Sequence, residues 1–183
     1  MGSSVQPIYR FDLIMHMKIL VFTEGTVTMQ STGIGVSREE RVKQSVENIA
    51  SVNDFKSYIP NGRSADKLTN WKLQGAEIYY LTSRTKSDEI EDVKYVLNKY
   101  HFPEVENLLY RKEGREYKDV AEQLLPDILI EDDCESIGGE IEMTYPHIRP
   151  DLKSKIKPIV VKEFAGIGDL PDNLDELEGY ETN

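Results

Sequence analysis

The chain has 183 residues, 39% of them hydrophobic, with 22 basic against 33 acidic side chains and a formal net charge of -11. That length and apolar content allow one domain with a proper core. The charge argues against nucleic acid or an anionic membrane as the main partner, since no basic surplus exists to neutralise phosphates.

Residues 1 to 16 lack the continuous apolar core and small-residue cleavage site of a signal peptide, and read as an N-terminal extension without function. Met17-Lys18-Ile19-Leu20-Val21-Phe22 then reads as a natural beginning, with the first strand over 18–23. The stretch 27–60 is too long for a minimal crossover. In it, Ser37-Arg38-Glu39-Glu40 is a capping box opening a helix with Val42, Val46, Ile49 and Phe55 on one side. Inserted after the first strand, this piece is either a small cap over a site or extra core packing. Ala65, Leu68 and Trp71 mark a helix closed by Gly75, and a second strand follows over 77–82. Ser87 caps a helix with Ile90, Val93, Leu97 and Tyr100 on one stripe. A strand over 105–110 precedes a helix carrying Tyr117, Val120, Ala121 and Leu124, which ends before Pro126. Strands over 127–131 and 158–163 complete the set. The domain runs from 17 to 174, and 175–183 is an acidic tail. Residues 169–183 hold six acids and no base, a composition that favours solvation.

The strands are short and without clean alternation, which predicts burial on both faces. Strands alternating with helices predict an α/β fold, a doubly wound and mainly parallel five-stranded Rossmann-type sheet with a small helical cap insertion. Such sheets bind ligands at the carboxyl ends of their strands. There the chain places Glu24 after the first strand, Thr82 and Ser83 after the second, and Asp132 and Asp133 after the fourth. A carboxylate can attack phosphorus. Hydroxyls and a lysine hold phosphate oxygens, and further carboxylates hold Mg²⁺, which prefers oxygen ligands.

On these residues the chain resembles the haloacid dehalogenase superfamily over roughly Met17 to Leu174. The second family motif, a Thr or Ser, matches Thr82. The third, a lysine, matches Lys118, and the fourth, an acidic pair, matches Asp132 and Asp133. The first motif, Asp-x-Asp-Gly-Thr, departs here to Phe22-Thr23-Glu24-Gly25-Thr26. Aligned from Gly-Thr, the nucleophile position falls on Phe22; aligned from the strand, it falls on Thr23.

The resemblance implies a phosphatase-type hydrolase acting on a small phosphorylated compound. It implies Glu24, Thr23 and Lys118 as catalytic residues and Thr82, Ser83, Gly25 and Thr26 on the phosphate. Mg²⁺ falls to Asp132, Asp133 and Glu24. Glu24 then serves as nucleophile, or as base on water, or else the site binds a phosphorylated ligand without turnover. Each residue also has a plainer reading: Thr82 as a β-branched strand end, Lys118 as a solvated helical lysine, and the acid pair as turn residues. The single cysteine, Cys134, excludes a disulfide framework, fits a reducing cytoplasm, and is no nucleophile, because neighbouring carboxylates raise a thiol pKa. No apolar stretch approaches the roughly 18 residues that span a bilayer.

Overall fold

The computed structural model describes residues 17–181; the expected extension over 1–16 lies outside them. Strand β1 (Lys18–Phe22) runs through the middle of a five-stranded sheet. On one side lies β4 (Glu77–Thr82) and then β5 (Leu108–Tyr110); on the other lies β6 (Ile128–Asp132) and then β7 (Lys157–Val161). All four pairings are parallel. The chain builds outward from β1 to β5, then crosses back to the other side of β1. The resulting switch point opens a crevice at the carboxyl ends of β1, β4 and β6.

The strands are apolar throughout because both faces are covered. Ile19, Val21, Ile78, Tyr80, Ile128 and Ile130 point to one face, packing on α2 (Ser64–Leu73) and α3 (Ser87–Lys99) through Leu68, Trp71, Val93 and Leu97. Leu20, Leu81 and Leu129 point to the other, against Ala121 of α4 (Tyr117–Leu124) and against Ile148 and Ile156. A short α5 (Pro150–Lys153) completes that second layer through Leu152. Of the span 105–110, only 108–110 is extended; Val105–Asn107 is a 3₁₀ turn whose Val105 is buried.

The segment between β1 and α2 holds a two-stranded antiparallel ribbon, β2 (Thr28–Met29) with β3 (Ile59–Pro60), and helix α1 (Arg38–Val46). Ser37 does cap α1, accepting from the Glu40 amide at 3.2 Å. The helix stops at Val46, which is exposed, so the expected stripe through Ile49 and Phe55 is not one helical face. Phe55 instead packs with Tyr58 against Val96 of α3.

Residues 169–183 also depart from expectation. Within the described part, α6 (Leu174–Glu178) turns Leu174 and Leu177 into the main core, and only its acids face solvent. The Trp71 indole donates to the Pro171 carbonyl at 3.0 Å, tying this segment to α2. Leu177 is 0% exposed and Leu73 is 82% exposed. Leu177→Ala is therefore expected to destabilise the protein by about 2–5 kcal/mol in urea unfolding, whereas Leu73→Ala stays within about 0.5 kcal/mol. Equal effects would contradict the docking of this segment.

Candidate active site at the carboxyl edge of the sheet

Immediately after β1 the backbone folds into a tight loop. The Thr23 carbonyl accepts from the Val27 and Thr28 amides at 3.0 and 2.9 Å, and the Gly25 amide returns to the Thr28 carbonyl at 2.9 Å. Gly25 sits at φ +83°, and a Cβ there would lie 2.8 Å from Asp132 Oδ2. Glycine is needed on both counts. On the far side, the Phe164 amide donates to the Gly25 carbonyl at 2.8 Å, and the trailing loop after β7 thereby closes on the first.

The loop aims the Glu24 carboxylate across the sheet at the end of β4. Thr82 donates its hydroxyl to Glu24 Oε1 at 2.6 Å, the Ser83 amide donates to Oε2 at 3.2 Å, and Arg84 Nε lies 3.6 Å away. Thr23 adds its own hydroxyl at 2.5 Å. Thr23 and Thr82 are fully buried. The Arg84 amide in turn donates to the Thr82 hydroxyl at 3.1 Å, and the guanidinium stacks 4.3 Å over Phe55 from the inserted segment. A hydroxyl, an amide and a guanidinium converging on one anion form an oxyanion cradle.

Asp132 stands opposite, at the end of β6. It accepts from the Thr26 hydroxyl at 2.7 Å and the Cys134 amide at 3.0 Å, and no ion pair to it occurs among the described residues. Burial pushes its carboxyl up to about 6. A buried carboxylate with two neutral donors and no cation has the chemistry of a hard-cation ligand. Mg²⁺ takes only one or two protein carboxylates and keeps waters, a demand that Asp132 fits. No cluster of three metal-ligating side chains exists among the described residues.

Two expected participants lie elsewhere. Lys118 is paired with Glu116 at 2.7 Å and does not line the crevice. Asp133, on the opposite side of the strand end from Asp132, is committed to Lys162 at 2.9 Å and the Glu163 amide at 3.0 Å. Burial would raise its pKa, but these donors prevail and hold it below the usual range. Thr23 reaches the site only through Glu24 and the Leu81 carbonyl. Thr26 serves Asp132 rather than the cradle. The Cys134 thiol is pushed up by burial and then by Asp132, which fits its inert role.

The crevice holds a cavity of about 280 Å³ bounded by Phe22, Glu24, Arg84, Tyr117, Asp132 and Glu163. Ser45, Asn48, Val52, Phe55 and Tyr58 of the inserted segment also line it, while Phe55 and Tyr58 pack against Val96 of α3. Arg84, Tyr117 and Glu163 were not anticipated as site residues. Phe22 meets Tyr117 edge-on at 5.2 Å. Arg111 stacks 4.0 Å over the Tyr117 ring, and its Nε is buried and without a partner. The strand-end position aligned with the nucleophile in the Gly-Thr register thus carries an aromatic ring.

No protein-family model and no curated protein matches the sequence. Among solved structures, the chain is similar to the class C acid phosphatase from Bacillus anthracis. Its tungstate-bound form aligns with a TM-score of 0.50 and 18% identity over 90% of this chain and 77% of that one. A second structure of that enzyme gives 0.51 and 17% over 90% and 76%. A HAD family hydrolase from Deinococcus radiodurans R1 with bound phosphate and sodium aligns at 0.41 and 11%, over 82% and 92%. The fold is haloacid dehalogenase-like, an α/β Rossmann-type sheet. No helix of the described residues is long and apolar enough to cross a membrane.

If Asp132 is a cation ligand, millimolar Mg²⁺ will raise the melting temperature of the wild-type protein, by mass action on the folded state. Asp132→Asn will abolish that response while leaving the metal-free protein at least as stable at pH 8, because a buried charge has been removed. A wild-type melt indifferent to Mg²⁺ would contradict the assignment.

Proposed function

We propose that the chain is a phosphatase-type hydrolase acting on a small phosphorylated compound with Mg²⁺. The observation that carries this reading is the cradle: the Thr82 hydroxyl, the Ser83 amide and the Arg84 guanidinium all converge on one carboxylate at the switch point of the sheet. These three donor types suit the oxygens of a phosphoryl group and balance the charge that develops there. The fold shared with acid phosphatases supports the same reading.

In this mechanism Thr82, Ser83 and Arg84 hold and orient the phosphoryl group. Asp132 and Glu24 supply the carboxylate oxygens for Mg²⁺, which when bound neutralises phosphate charge and acts as a Lewis acid. In this reading the attacking group is water: Glu24 takes its proton as the water oxygen bonds to phosphorus, the ester P–O bond breaks, and that proton passes to the departing oxygen, releasing an alcohol and phosphate. The inserted segment, through Phe55 and Tyr58, roofs the cavity and limits solvent. Substrate is a small molecule of the size the roofed cavity accepts, and the single cysteine supports a cytoplasmic setting.

A second reading has its own support. The nucleophile position carries Phe22 in one register and Thr23 in the other, and a site without that aspartate can bind a phosphorylated ligand without turning it over. Phosphate release from a panel of phosphomonoesters, including a phosphorylated oligonucleotide, distinguishes the two. The hydrolase reading predicts Mg²⁺-dependent release that Glu24→Gln reduces by about 100-fold or more, the usual weight of a general base. Binding of the same compounds with no release, by folded protein, would establish the second reading.

A further inference from the structure

We infer that Glu24 is a displaceable internal ligand, holding the anion cradle closed until an incoming phosphoryl group takes its place. This inference rests on the reading of the cradle as a phosphoryl site and adds a condition to it. The Glu24 carboxylate accepts from Thr82 at 2.6 Å and from the Ser83 amide at 3.2 Å, with Arg84 at 3.6 Å. One anion already occupies the Thr82 hydroxyl and the Ser83 amide, while the Arg84 guanidinium beside it donates to the Ser83 hydroxyl. A hydroxyl hydrogen and an amide hydrogen each bind one acceptor well, and two anions cannot share them at this spacing without strong repulsion.

Glu24 is built to reach and to leave. Its backbone is fixed by the loop that Thr23 and Gly25 close, while its side chain carries three rotatable bonds and borders the open cavity. Its own neighbour Thr23, by donating at 2.5 Å, steadies the carboxylate in the closed position. An aspartate here would be one carbon shorter and would draw its carboxylate away from Thr82. The glutamate is therefore the length that fills the cradle from this loop. The consequence is thermodynamic: apparent anion affinity falls by the fraction of molecules whose cradle is open.

The test is calorimetric titration of inorganic phosphate into wild-type protein and into Glu24→Ala, Glu24→Asp and Thr82→Val. Opening the cradle is expected to tighten phosphate binding by about 10-fold or more in Glu24→Ala, in line with the population argument. Glu24→Asp separates displacement from simple charge removal, because it keeps the negative charge. Displacement predicts that Glu24→Asp also tightens binding. A gain confined to Glu24→Ala would mean that charge alone is at work and would overturn the inference. Equal or weaker binding in both variants would overturn it too, leaving the cradle itself intact provided that Thr82→Val loses the wild-type binding. Phosphate binding by no variant, with every melt cooperative, would overturn the cradle reading as well.

Discussion

The bond from the Thr82 hydroxyl to the Glu24 carboxylate, 2.6 Å long, joins the ends of the two neighbouring strands β1 and β4. Much of the site is arranged around it. Thr82 can donate there because its hydroxyl accepts from the Arg84 amide at 3.1 Å, which fixes its rotamer and curls the turn that presents the Ser83 amide. Glu24 can arrive there because Gly25 at φ +83° lets the chain reverse beside Asp132. Charge-assisted bonds of this kind are short and strong where water is scarce. The inserted segment contributes to that dryness, placing Phe55 against the Arg84 guanidinium.

The architecture was legible in the sequence because its signals are local and redundant. Apolar runs without alternation mean strands covered on both faces, and Ile19 through Val21 are all fully buried. The site was legible only in part, and the misplacements have a common physical cause, the phase of side chains along regular elements. Tyr117, Val120, Ala121 and Leu124 share one helical stripe, and that stripe places Lys118 about 100° away, on the other face. Asp132 and Asp133 are adjacent at a strand end, so they diverge, and only one can face the crevice. Leu174 and Leu177 were hidden in a run whose charge dominated its reading. Phe22 was visible as a departure from the expected aspartate, but its pairing with Tyr117 depends on a contact across 95 residues of chain that periodicity does not report.

Two carboxylates of the crevice, Glu24 and Asp132, stand in contrasting environments. Glu24 is held by a hydroxyl, an amide and a nearby guanidinium. Asp132 is buried with only neutral donors, and its carboxyl is raised to about 6. One anion has a guanidinium beside it and the other has no cation. The proposed function uses that contrast, with a phosphoryl group received at the Thr82 end and a hard cation at Asp132.

The most direct measurement is a crystal structure of the protein soaked with tungstate, a heavy phosphate mimic whose position anomalous scattering reports without ambiguity. The account predicts tungstate bonded to the Thr82 hydroxyl, the Ser83 amide and Arg84, with the Glu24 side chain rotated out of the cradle. Tungstate bound elsewhere, or absent from a crevice where Glu24 still bonds Thr82, would contradict it.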